Sequence, residues 1–273
     1  VLKIVLLVKT VVPIVSTVKV DEKTGSLVRE GVPTTLNPWD YAAIELALEL
    51  RRSYGGHITA ISMAPPFAKE VLEDIIGMGV DDAILVSDRA FAGSDTLATS
   101  YVLAETIRKV VKEFDIVITG QEAADSVTSH VPAQVAAFLN VPYIYYVTNV
   151  KHCNVVDKVI KLERFVEDEG RAEEFEVDLP VVISVYRRQT YLPISVLRKI
   201  SARLEGKVKI VSNKELQLDP SKIGLAGSPT RVSKIENFKI ASKSTQFLDF
   251  KTPDEAARWI LDLIRKYAQT GKP

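Results

Sequence analysis

The chain has 273 residues, of which 47% are hydrophobic and 26% charged, a composition that excludes the disordered and low-complexity classes. Lysine plus arginine and aspartate plus glutamate both total 35, so no global field draws the protein onto nucleic acid or an anionic membrane. The only cysteine is Cys153, which excludes an intrachain disulfide and any cysteine-ligated zinc or iron–sulfur centre built by this chain alone.

The run Ile4-Val5-Leu6-Leu7-Val8 is closed by Lys9. It is too short for a signal-peptide core and far below the roughly 20 residues needed to span a bilayer, so it predicts a buried strand. Further strands are predicted at residues 57–63, 82–87, 115–119 and 143–147, alternating with amphipathic stretches. That alternation predicts an α/β fold: a Rossmann-like, mostly parallel sheet flanked by helices, of the adenine-nucleotide-binding type. Residues 18–30, with Thr24-Gly25 at their centre, read as a surface hairpin. Asn37-Pro38-Trp39-Asp40 then reads as a helix start, with Asn37 as cap, Pro38 at the first position and Asp40 at the positive end of the dipole. Ala43, Leu46, Ala47 and Leu50 recur at helical spacing up to a stop at Gly55-Gly56. Two more helices are expected to begin near Ser94 or Asp95 and near Ser129. Residues 155–165, 171–177 and 181–186 form a β-rich continuation with a turn at 167–170.

From 187 to 209 the chain is basic and includes Pro193, and a polar stretch with Pro220, Gly224, Gly227 and Pro229 follows. This composition divides the chain into a nucleotide- or flavin-binding domain, residues 1–190, and an extended partner-binding arm with a C-terminal helix, residues 191–273. Thr252-Pro253-Asp254-Glu255 reads as a capping box ahead of Ile260, Leu261, Ile264 and Tyr267.

In a parallel α/β sheet ligands bind beyond the carboxyl ends of the strands. Three loops qualify: residues 36–40; residues 88–99, with a glycine and hydroxyls ahead of a helix; and residues 120–131, rich in small residues and donors. Taken singly, each is explained by ordinary helix capping; three at one sheet edge point to a nucleotide phosphate. Gly77-Met78-Gly79 precedes a strand and lacks a third glycine, so it reads as a turn and not as a dinucleotide fingerprint. No Walker-type loop, HExxH or GxSxG occurs, and His57, His130 and His152 are scattered, so the residues themselves reach a nucleotide-binding domain without an evident nucleophile, base or metal.

Several motifs occur in one order along nearly the whole chain: the Lys9-containing end of the first strand, Asn37-Pro38-Trp39-Asp40, Gly77-Met78-Gly79-Val80-Asp81, the loop 120–131 and Gly227-Ser228-Pro229-Thr230. With them the sequence resembles the beta subunit of electron-transferring flavoproteins. The stretch 88–99 is similar to the motif of the electron-bifurcating branch of that family. The resemblance implies a heterodimer with an alpha subunit carrying its own FAD. It implies a second, bifurcating FAD in this chain that takes hydride from NADH, one electron going to a low-potential carrier, ferredoxin or flavodoxin. The other would pass through the alpha-subunit FAD to an acyl-CoA dehydrogenase or quinone oxidoreductase. In non-bifurcating members the same site holds structural AMP. The subunit would be cytoplasmic, able to associate with a membrane-bound complex but not itself inserted. A flavin that carries the chemistry also accounts for the missing catalytic side chains.

Carried over from the family, Asn37, Asp40 and Met63 would frame the adenine, and Leu7 would also line the cofactor site. Gly120, Gln121, Ala123, Asp125, Ser126, Thr128, Ser129, His130 and Val131 would wrap ribose and phosphate. Gly93, Ser94, Asp95, Thr96 and Thr99 would meet the pyrophosphate or flavin side, with Arg89 and Phe91 near the ring or an incoming nicotinamide. A surface salt bridge for Arg89 and core packing for Phe91 stand as equal alternatives. Asp125-Ser126-Val127-Thr128-Ser129-His130 departs from the family's Asp-Gly-Asp-Thr-Ala-Gln, and Gln189-Thr190-Tyr191-Leu192 from its Asn-Glu-Pro-Arg. Val196 or Leu197 would supply the apolar anchor for docking. From another class, a universal-stress-type ATP-binding regulatory module shares the topology, but its usual glycine-rich phosphate loop is not visible.

Overall fold

The computed structural model describes residues 1–11, 19–20, 27–28, 34–230 and 247–270. In chain order the elements are β1 (Leu2–Leu7), four two-residue strands β2 (Thr10–Val11), β3 (Lys19–Val20), β4 (Leu27–Val28) and β5 (Thr35–Leu36), then α1 (Asp40–Tyr54), β6 (Gly56–Met63), α2 (Lys69–Met78) and β7 (Asp82–Val86). They continue with α3 (Thr96–Thr106), β8 (Ile116–Gly120), α4 (His130–Leu139), β9 (Tyr143–Asn154), β10 (Val159–Val166), β11 (Arg171–Asp178) and β12 (Val181–Val185). Last come α5 (Val196–Leu204), β13 (Val208–Val211), the short α6 (Asn213–Leu216) and α7 (Pro253–Thr270). Strands β3 and β4 pair antiparallel where a hairpin is predicted, though its Thr24-Gly25 turn lies outside the described residues.

The main sheet has the order β11-β10-β9-β12-β8-β1-β6-β7-β13. Its centre is parallel, and the β-rich continuation adds β10 and β11 antiparallel at one edge. Helices cover both faces, which is why β1 is apolar almost throughout. On one face Ala43, Leu46, Ala47 and Leu50 of α1 join Leu72, Ile75 and Ile76 of α2 and Ala202 of α5 in a core against the sheet. On the other, Val102 and Leu103 of α3 meet Val135 and Ala136 of α4 and Leu216 of α6. Each such Leu or Ile gains about 1.5–3 kcal/mol from leaving water.

The structure corrects the sequence reading in four places. Asn37 does not cap α1: the helix begins at Asp40, its preceding residue is Trp39 in right-handed helical conformation, and no side chain caps it. Gly77-Met78 is the last turn of an unpredicted helix, α2, which Gly79 closes at φ 130°. The basic stretch is not extended. It contains α5 and then β13, which pairs in parallel with β7 and completes the sheet. Three of its cations are spent within the fold: Arg203 Nε donates to Glu73 at 2.9 Å, Lys199 pairs with Asp74 at 2.5 Å, and Arg198 Nε donates to the Ile76 carbonyl at the end of α2. Finally, only half of the predicted capping box forms. Glu255 N donates to Thr252 Oγ1, but the Glu255 carboxylate accepts from Lys251 N instead.

The chain divides into two compact units, Val1–Lys234 and Ile235–Pro273. The second contains α7, whose Trp259 lies 6.0 Å from Phe250, ring to ring, and whose Ile260, Leu261, Ile264 and Tyr267 are exposed. Among the described residues no helix is long and apolar enough to cross a membrane.

Candidate nucleotide site

Chain connections leave β1 toward β6 on one side, while those after β8 run to β9 and β12 on the other. The carboxyl ends of β1 and β8 therefore flank the topological switch point, where an open α/β sheet leaves a crevice. Residues singled out in the sequence converge there. Asp40, only 4% exposed, accepts from Lys9 N at 2.7 Å and from Asn37 Nδ2 at 2.9 Å. Asn37 Nδ2 also donates to the Glu122 carbonyl at 2.7 Å, and its Oδ1 accepts from Ala124 N at 3.0 Å. The pair thus ties the end of β1, the start of α1 and the loop after β8 together. Burial pushes the Asp40 carboxyl up to about 7, against the opposing pull of Lys9 N, Asn37, the Lys9 charge and Gly120 N.

Gly120 is dictated by this staple. A Cβ there would lie 2.3 Å from Asp40 Oδ1 and 2.9 Å from the Trp39 carbonyl. Asn37 and Asp40 consequently act from beneath the crevice, their polar atoms consumed in the fold. Leu7 and Met63 end β1 and β6 on the opposite face, that of α3 and α4.

The loop after β8 wraps the same edge. Lys9 Nζ pairs with Asp125 at 2.5 Å, Ser129 Oγ donates to Glu122 at 3.2 Å, and Val127 N donates to the Ala123 carbonyl at 2.8 Å. Val127 and Ser129 both have positive φ, 49° and 54°; for a β-branched residue that is an outlier of the kind that gathers at ligand sites. Ser129 does not cap α4, and no other side chain does. The first-turn N–H groups of His130 and Val131 are therefore left without a side-chain cap, beside exposed Ser126, Thr128 and His130. Half-buried Val131 follows in the same turn. Gln121 is turned inward, its Oε1 accepting from Arg187 N at 3.0 Å.

The neighbouring helix is closed. Asp95 caps α3 through Leu97 N and Ala98 N, and its other oxygen accepts from Thr230 N at 3.1 Å and Thr230 Oγ1 at 2.8 Å. Despite some burial, these donors hold its carboxyl below the usual range. Ser228 Oγ accepts from Asp95 N at 2.8 Å, and Ser94 Oγ accepts from Gly224 N at 3.1 Å. The 88–99 loop is thus docked onto residues 224–230, with Gly93 at φ 75° against Leu225. Phe91 is 4% exposed and packs in the core. Arg89 is exposed. Thr96 Oγ1 faces Gln134 Nε2 of α4 at 3.5 Å, and Thr99 N continues the helix to the Asp95 carbonyl, so α3 and α4 start side by side.

Two buried polar atoms lack partners among the described residues, Trp39 Nε1 and Ser62 Oγ. They belong to the residues next to Asp40 and Met63, and sequence reasoning missed both. Together with an uncapped helix start and small residues at Gly120, Ala123 and Ala124, they suit an adenine nucleotide with its phosphate at α4. No group of three or more metal-ligating side chains occurs among the described residues.

The fold defines a protein of the open, mostly parallel α/β class with a crevice at its switch point. More narrowly, residues 24–216 match the electron transfer flavoprotein domain, and the chain belongs to that family. It is 36% identical over 255 residues to the electron transfer flavoprotein subunit beta of Clostridium acetobutylicum, covering 93% of this chain and 95% of that protein. It is 35% identical to protein FixA of Azotobacter vinelandii, covering 87% and 85%. It is 38% identical to the caffeyl-CoA reductase-Etf complex subunit CarD of Acetobacterium woodii, covering 81% and 82%.

Proposed function

We propose that this chain is the beta-type subunit of a heterodimeric electron transfer flavoprotein and binds FAD at the switch-point crevice, with the adenine over Leu7 and Met63 and the phosphates at the start of α4. The observation that carries this reading is the pair of adjacent helix starts, α3 sealed by Asp95 and α4 left open. FAD at this position supplies hydride acceptance from NADH and release of single electrons. The chain's own part is positional. Asn37 and Asp40 hold the loop in register, the α4 N–H groups and the Ser126, Thr128 and Ser129 hydroxyls meet the phosphates, and the apolar ends of β1 and β6 exclude water from the base. One electron would leave to ferredoxin or flavodoxin and the other to the FAD of the alpha subunit, then to an acyl-CoA dehydrogenase or quinone oxidoreductase. A relative named as part of a caffeyl-CoA reductase-Etf complex supports such an assembly.

A second reading, structural AMP in place of FAD, is favoured by one observation: Ser94 and Asp95, assigned to the pyrophosphate or flavin side, already bond within the chain. Purification with the alpha subunit followed by nucleotide analysis separates the two. Two FAD per heterodimer are expected; one FAD plus one AMP overturns the bifurcating reading.

A further inference from the structure

The opposite end of the sheet carries a cavity of about 710 Å³, at the amino ends of β1, β6, β7 and β13 and on the face covered by α3. That volume is in the range of small-molecule pockets, roughly 300–1,000 Å³. About 13 Å of strand separates Lys3 from Leu7 at the crevice end of β1, so a ligand here is no continuation of one in the crevice. Alternate residues of a strand share a face, and the register sets them side by side: Lys3 beside His57, Val5 beside Thr59 and Ile84 beside Lys209. Buried Val5 and Ile84 give the cavity an apolar floor, and half-buried Thr59 adds a hydroxyl. Lys207 enters from just before β13.

The roof is the five-residue π-helical turn Ile107–Val111 that ends α3, followed by Lys112. Lys112 takes φ 72° and ψ −54°, and Glu113 N donates across it to the Val111 carbonyl at 2.9 Å. This is a γ-turn of the rare, strained hand. Both π-turns and strained backbone gather at ligand sites. Cations also outnumber acids around the cavity. Lys3 pairs with Glu113, Asp82 lies 2.6 Å from His57 Nε2, and Lys207 is 3.3 Å from Glu205. Lys112 and Lys209 are exposed and make no ion pair among the described residues. A helix C-terminus by itself favours a cation such as Lys112, but Lys207 and Lys209 stand at a strand start, where the sheet supplies little field.

We propose that this groove is a second ligand site that takes a phosphorylated organic molecule, its phosphate on Lys112 and Lys209 and its apolar body on Val5, Ile84 and Val111. The site stands whether the crevice holds FAD, AMP or neither. Its cations are lysines without an arginine; compact point charges suit phosphate, whereas the arginine fork matches planar carboxylates. The floor makes the ligand organic, because apolar surface gains nothing from an inorganic ion.

The test titrates the full chain with 1-naphthyl phosphate and with inorganic phosphate, read by calorimetry. Naphthyl phosphate is expected to bind roughly tenfold or more tightly than inorganic phosphate. Lys112→Gly, which suits the positive φ, and Lys209→Gln should each weaken it roughly 2- to 10-fold. Lys161→Gln removes one charge on β10, where Lys161 pairs with Glu176, and should leave binding unchanged. Absence of binding, binding that survives both groove variants, or equal weakening by Lys161→Gln overturns the site. Equal affinity for the two probes overturns the organic ligand.

Discussion

Asp40 and Gly120 form a matched pair: a buried carboxylate stapling two strand ends, and a residue whose missing side chain makes room for it. Gly120→Ala would force a Cβ onto a carboxylate and a backbone carbonyl. It is expected to destabilise the chain by about 1–3 kcal/mol and to weaken nucleotide binding, as read by urea unfolding and by ligand titration. Asp40 also predicts a pH dependence. Because its folded pKa rises from 3.8 to about 7, the folded chain holds a proton that the unfolded chain releases within that window. The stability owed to this group therefore falls as pH rises through it and is flat above, by up to ~4 kcal/mol. Asp40→Asn lacks this titration. The drop in urea midpoint from pH 5 to pH 8 should accordingly be smaller in the variant than in the parent, and an equal drop would show that Asp40 titrates elsewhere.

At the scale of elements, the contrast between α3 and α4 organises the site. Asp95 satisfies the first turn of α3 and holds residues 228–230. Asp95→Ala should cost about 0.5–2 kcal/mol for the cap alone and more for the lost docking. Since its carboxyl sits below the ordinary range, this stabilisation is complete above about pH 4 and disappears as the medium is acidified. A variant as stable as the parent at pH 7 would refute the docking role. Helix α7 presents the opposite case, with an apolar stripe of Ile260, Leu261, Ile264 and Tyr267 left exposed. As part of the proposed heterodimer, Ile264→Glu is expected to abolish co-purification with the alpha subunit while leaving the thermal unfolding of this chain unchanged.

For the molecule as a whole, a nucleotide that binds only the folded chain stabilises it through mass action, by about 2.7 kcal/mol at a hundredfold excess over Kd; an upward shift of Tm with FAD measures this, and no shift at saturating concentration would count against the crevice. Much of the frame was legible in sequence because it rests on local regularities. Continuous apolar runs marked the central strands, the spacing from Ala43 to Leu50 marked the buried face of α1, and Gly55 marked its end. The lone cysteine and balanced charge bounded the chemistry, and the ordered motifs led to the family that residues 24–216 confirm. Other features depended on partners far along the chain. β13 is four residues within a basic stretch, and only pairing with β7 makes it a strand. Asn37 has the composition of a cap, yet its bonds go to Glu122 and Ala124. Tyr146 carries no motif, and its place opposite Ser184 follows from a bulge and a sheet order that no local window contains. Sequence by itself determined the class of fold and the candidate loops, since propensity, hydrophobic period and residue chemistry are local properties. Tertiary structure alone decided which helix start stays open and which polar groups are already satisfied, because hydrogen-bond satisfaction belongs to pairs of residues that only the fold brings together.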